Sequence, residues 1–118
     1  MKIEGNAKLV TVYVGESDTW HGRNLANAIV LRARELGLAG ATVTRGIEGY
    51  GATSRIHTAR ILRLSEDLPI RIEIVDRADR IDKLMPVLDE MVNEGLVTLQ
   101  DVHVFKYVHD PQASPASS

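Results

Sequence analysis

The chain has 118 residues, is 44% hydrophobic and 25% charged, and carries a formal net charge of -2 at pH 7. These values describe one ordinary globular domain with a modest core, and they supply no basic field for a nucleic-acid partner. The absence of cysteine excludes a disulfide scaffold, a thiolate nucleophile and cysteine-based metal sites, and it fits a cytoplasmic location.

Lys8 to Gly15 is the first strand candidate. Leu9, Val10, Val12, Tyr13 and Val14 make it nearly all apolar, as in a strand covered on both faces. Glu16 to Gly22 is polar and reads as a loop. A helix is expected from Arg23 to Leu36, with Leu25, Ile29, Ala33 and Leu36 as its stripe and Gly37 as its C-terminal stop. Ala41 to Ile47, rich in β-branched residues, is the second strand.

A loop rich in glycine and arginine follows, from Gly46 to Thr58, and Arg60 to Leu64 is either a short extra strand or the return arm of that loop. Ser65 to Pro69 is a turn. Ile70, Ile72 and Ile74 alternate with Arg71 and Glu73, so one face of this strand is the better buried. The second helix is expected from Ala78 to Asn93, its stripe formed by Ile81, Leu84, Met85, Leu88, Met91 and Val92, with Pro86 bending it. Gly95 closes the helix. Leu96 to Val108 holds the last strand, clearest from Val102 to Tyr107.

The order strand, helix, strand, strand, helix, strand is the α+β, ferredoxin-like βαββαβ pattern: an antiparallel sheet with two helices on one face. The domain is expected to span 1–108, and 109–118, polar and proline-containing, to be a disordered tail. No apolar run approaches the length of a membrane span, and there is no signal-peptide core. The chain has no third helix to cover the second sheet face, so a second copy is the economical cover.

The loop carries the functional signal. Gly46, Gly49 and Gly51 allow close approach of a ligand to the backbone. Arg45, Arg55 and Arg60 offer guanidinium forks to phosphate or carboxylate, and His57 and Thr58 add donors beside them. Before the first helix, Trp20 can stack on a base or plug an interface, and His21 can donate to a phosphate or cap the helix start. Glu66 and Asp67 can bind a ribose hydroxyl or pair with Arg63. A metal reading would use Glu16, Asp18, His21 and His57, whose spacing matches no fixed zinc pattern.

Four blocks together, Gly15–Gly22, Arg45–Gly51, Ile56–Ala59 and Leu64–Asp76, resemble the domain-of-unknown-function family 190, small proteins related in fold to PII signalling proteins. The resemblance implies a homotrimer, a long loop after the second strand like the PII T-loop, and a ligand cleft between subunits. PII proteins bind ATP, ADP and 2-oxoglutarate and act by docking that loop onto enzymes and transporters. The implied function is therefore a regulatory trimer that binds AMP, ADP or ATP at Trp20, His21, Arg45, Gly46, Gly49, Gly51, Arg55, His57, Thr58 and Arg60. Its regulated partner would be a membrane transporter, a channel or an enzyme, reached through a mobile glycine-rich loop. Two alternatives stand beside it: a small enzyme on a phosphorylated substrate with His21 or His57 as acid–base group, and a metal-binding trimer similar in fold to CutA.

Overall fold

The structure is a computed structural model that describes residues 2–50 and 67–109. Its elements in chain order are β1 (Lys2–Gly15), β2 (Thr19–Trp20), β3 (Arg23–Asn24), α1 (Leu25–Glu35), β4 (Thr42–Arg45), β5 (Pro69–Asp76), α2 (Ala78–Met91) and β6 (Leu96–Val108). Four strands form one sheet in the order β4-β5-β1-β6, with every neighbouring pair antiparallel. This is the expected ferredoxin-like arrangement. The candidate Arg60–Leu64 strand and the tail from Asp110 lie outside the described residues.

Strand alternation builds the core. Val10, Val12 and Val14 of β1 and Ile70, Ile72 and Ile74 of β5 are buried on one sheet face, where α1 contributes Leu25, Ile29 and Ala33 and α2 contributes Ile81, Leu84, Leu88 and Met91. The α2 stripe is buried as its 3.6-residue spacing requires, and the helix runs through Pro86 rather than ending there. Gly37 ends α1 as expected. Its φ of 87° suits the left-handed closing position, and the amides of Gly37 and Leu38 donate to the carbonyls of Arg34 and Ala33 at 3.0 and 3.1 Å. That pair of bonds is a Schellman cap.

Several boundaries differ from the sequence reading: α2 ends at Met91 rather than Asn93, and Pro69 opens β5 rather than closing a turn. β1 begins at Lys2 rather than Lys8. Its first residues, Lys2 to Ala7, have no β5 partner and pair with β6 alone, from Val108 back to Val102, across a bulge where Glu4 faces both Phe105 and Lys106. α1 begins at Leu25 rather than Arg23, because Arg23 and Asn24 are held in β3. β4 is only Thr42–Arg45, and all four residues are exposed at the sheet edge, a short edge of the kind that resists unwanted pairing.

The sheet face away from the helices is mixed rather than apolar. Alternation sends Arg71, Glu73 and Val75 of β5 to the side occupied by Leu9, Thr11 and Tyr13 of β1. Thr11 is nonetheless buried there, between Glu73 and Thr98 of the flanking strands.

Asp76 joins the sheet to the surrounding loops. It is fully buried, accepts from the amides of Ala39 (2.8 Å) and Arg77 (2.7 Å), and has the Arg80 guanidinium at 3.8 Å. One residue on, Arg77 contacts Asp79 in bidentate fashion at 3.1 and 2.8 Å. That hydrogen-bonded pairing holds the Asp79 carboxyl below its ordinary range and raises the Arg77 guanidinium. Replacing Asp76 by alanine orphans two amides and removes a counter-charge, at a cost of about 2–4 kcal/mol. Urea unfolding of Asp76→Ala against wild type checks it, and Asp76→Asn, which keeps one acceptor, should lose less.

Candidate functional site

At the end of the sheet where β1 and β4 finish and β5 starts, the chain makes a small hairpin instead of the expected polar loop. Thr19 pairs with Asn24 and Trp20 with Arg23. His21 and Gly22 form the turn, with φ of 49° and 79°, the two positive values that define a type I′ connection. Histidine is among the residues that tolerate this region. The turn brings the His21 ring onto Trp20, with centroids 4.2 Å apart and planes inclined by 18°. Trp20 is half-buried and packs against the core, while His21 is exposed.

The helix start is satisfied from within. Asn24 caps α1: its Oδ1 accepts from the Asn27 amide at 3.0 Å, and the Leu25 amide donates to the Asp18 carbonyl at 2.9 Å. The cap is therefore Asn24 and not His21, and these two amides are already engaged rather than turned toward an anion. Asp18 in turn accepts from the Gly15 amide at 2.8 Å.

Glu16 is the residue on which the end of the sheet converges. Its amide donates to the Leu68 carbonyl at 2.8 Å, its carbonyl accepts from Asn24 Nδ2 at 3.0 Å, and its carboxylate accepts from Arg45 Nη1 at 3.0 Å. Asp67 accepts from Ser17 Oγ at 2.9 Å, and its expected partner Arg63 lies outside the described residues. Gly46, directly after Arg45, donates its amide to the Pro69 carbonyl at 2.7 Å. A Cβ there would stand 2.7 Å from Pro69 Cγ, so the close approach requires glycine.

Of the ten predicted site residues, Trp20, His21, Arg45, Gly46 and Gly49 are described. Trp20 and His21 meet directly, and Arg45 is linked to their hairpin through Glu16 and Asn24. Gly51, Arg55, His57, Thr58 and Arg60 lie outside the described residues, as does Glu66. Among the described residues Glu16, Asp18 and His21 do not gather as a metal-binding group. None of the described helices is long and apolar enough to cross a membrane. The sequence reading starts the helix at Arg23 and so misses Asn24 as its cap, although an asparagine before an apolar run is the signal that could have marked it; Glu16 has no local signal.

Removing the cap tests this construction. Asn24→Ala should cost about 1 kcal/mol of stability, read as a shift in urea midpoint, and should accelerate amide exchange at Asn27 and Leu25 by releasing the β3–α1 junction.

Comparison with known proteins places this geometry in context. A family model described as "Uncharacterized ACR, COG1993", DUF190, matches residues 7–104. A UPF0166 protein of Aquifex aeolicus is 36% identical over 97 residues, covering 82% of this chain and 91% of its own. A UPF0166 protein of Methanocaldococcus jannaschii is 38% identical over 101 residues, covering 85% and 93%. Among solved structures, a candidate PII-like signaling protein from Thermus thermophilus has a TM-score of 0.61 at 20% identity, covering 86% of this chain and 91% of that one. CPII of Thiomonas intermedia, bound to ADP and bicarbonate, has a TM-score of 0.59 at 18% identity, covering 88% and 91%. CutA of Synechococcus elongatus has a TM-score of 0.55 at 12% identity, covering 91% and 85%. At these identities the structures share the fold.

Proposed function

The chain belongs to the DUF190 family, and from that membership we propose that it is a PII-like regulatory protein that binds an adenine nucleotide and signals through the segment following β4. The observation that carries the reading is a stacked aromatic pair at one end of the sheet, on a hairpin linked through Asn24 and Glu16 to the arginine that opens the glycine-rich segment. Trp20 and His21 supply a flat surface of the type that accepts a base. Arg45, with Arg55 and Arg60 further along the chain, supplies guanidinium groups for the anionic end. The fold is shared with a CPII structure bound to ADP and bicarbonate, which supports a nucleotide among the candidate anions.

In this reading the protein is a cytoplasmic homotrimer, and the nucleotide lies between neighbouring copies. The mixed sheet face leaves apolar groups, Tyr13 and Val75 among them, for a second copy to cover. The regulated target is an enzyme, transporter or channel.

Light scattering at micromolar concentration should give a mass near three times 13.0 kDa, and a monomer would remove the intersubunit cleft. Calorimetry should detect AMP, ADP or ATP. Arg55→Ala should weaken that binding roughly tenfold to a hundredfold, the loss of a charge-assisted contact of about 1.5–3 kcal/mol, with the assembly intact. Arg55→Lys should recover only part of it, since an ammonium makes no bidentate contact. Unchanged affinity in both variants would take the nucleotide off this arginine.

A further inference from the structure

The Glu16–Arg45 pair is an odd choice for a structural salt bridge. It is solvent-exposed on the arginine side, 56% for Arg45 against 31% for Glu16, and exposed pairs contribute little to stability. It is also a single contact, Nη1 to Oε2 at 3.0 Å, although a guanidinium can offer two parallel donors to a carboxylate or phosphate. Yet Glu16 itself is held on both sides, its amide by Leu68 and its carbonyl by the cap residue Asn24. A carboxylate on a fixed backbone thus engages a more exposed arginine at the point where the chain enters the glycine-rich segment.

We infer that Glu16 is a specificity-determining residue: its carboxylate is an internal substitute for the ligand's anionic group, holding Arg45 until an incoming phosphate displaces it. The inference rests on the reading of an anionic nucleotide as ligand. A phosphate presents two oxygens to the guanidinium where Glu16 presents one, so the exchange gains a donor–acceptor contact and releases a carboxylate to water. The same negative charge repels the ligand that displaces it. Glu16 therefore weakens binding in proportion to ligand charge, and it disfavours a triphosphate more than a monophosphate.

This differs from a merely structural role in the sign of its effect. A supporting salt bridge, when removed, lowers affinity or leaves it alone. A competing carboxylate, when removed, raises it. Glu16→Gln keeps the length and polarity of the side chain, and the backbone contacts of residue 16 do not depend on the carboxylate.

The test is calorimetric titration of wild type, Glu16→Gln, Arg45→Ala and the double variant with AMP, ADP and ATP, and with inorganic pyrophosphate as a probe that needs no base site. Glu16→Gln should tighten ADP about threefold, the scale of an exposed ion pair, with a larger gain for ATP and a smaller one for AMP. In the Arg45→Ala background the Glu16 substitution should lose most of its effect, keeping only the relief of direct charge repulsion, because the arginine they compete for is gone. If wild type binds nucleotide and Glu16→Gln binds it equally or more weakly, the inference falls and the nucleotide reading stands. If wild type binds no nucleotide, the nucleotide reading falls. Pyrophosphate binding gained by Glu16→Gln and abolished by adding Arg45→Ala then still upholds competition for Arg45. No pyrophosphate binding by either protein overturns both.

Discussion

Register along β1 is the constraint on which this molecule depends. The strand is paired on both sides, to β5 from Lys8 to Gly15 and to β6 from Lys2 to Tyr13. Its even-numbered residues Val10, Val12 and Val14 carry the centre of the core. A slip of one residue would exchange these valines for Leu9, Thr11 and Tyr13 and set Arg71 and Glu73 out of phase with their neighbours. The helices add area but inherit their position from this pairing, since α1 and α2 each span from one strand of the sheet to another. The loops at the far end inherit it too: Glu16 meets Leu68 only because Gly15 stands opposite Pro69.

That dependence explains why site and core are separable in chemistry but not in geometry. The core is aliphatic and gains stability from area removed from water. The site end is polar, and it is held by backbone donors and acceptors paired within the chain. Asn24 serves both the helix, through its oxygen, and the Glu16 carbonyl, through its nitrogen. Polar groups arranged this way contribute orientation more than net energy. They leave the aromatic pair and Arg45 displayed on a scaffold whose own needs are met.

Much of the fold was legible because its periodicities are local. The isoleucines of β5 alternate without exception, the α2 stripe keeps its spacing through Pro86, and Gly37 marks the end of α1. What was illegible depends on partners distant in sequence or on runs too short to show a period. Lys2, Glu4 and Asn6 look like a polar lead-in, and they are strand residues only because β6 lies beside them. The β2–β3 hairpin has two residues per strand, below any window of alternation. Arg45 was singled out as an anion binder from its residue type, but its partner Glu16 lies 29 positions away. Only the sheet order, which sets β4 beside β5 and β5 beside β1, brings the two together. Asp76 likewise has no sequence mark distinguishing a buried carboxylate from an exposed one.

The bond from the Gly46 amide to the Pro69 carbonyl has a consequence for redesign. It fastens the two ends of the intervening segment to each other at the sheet, so the scaffold does not rely on that segment to bring β4 and β5 together. The entropic cost of loop closure rises only slowly with loop length, about 0.6 kcal/mol for each doubling. Insertions, deletions and wholesale replacement between those ends are therefore inexpensive for folding. A grafted peptide of unrelated sequence thus has a ready-made stem on which to be displayed.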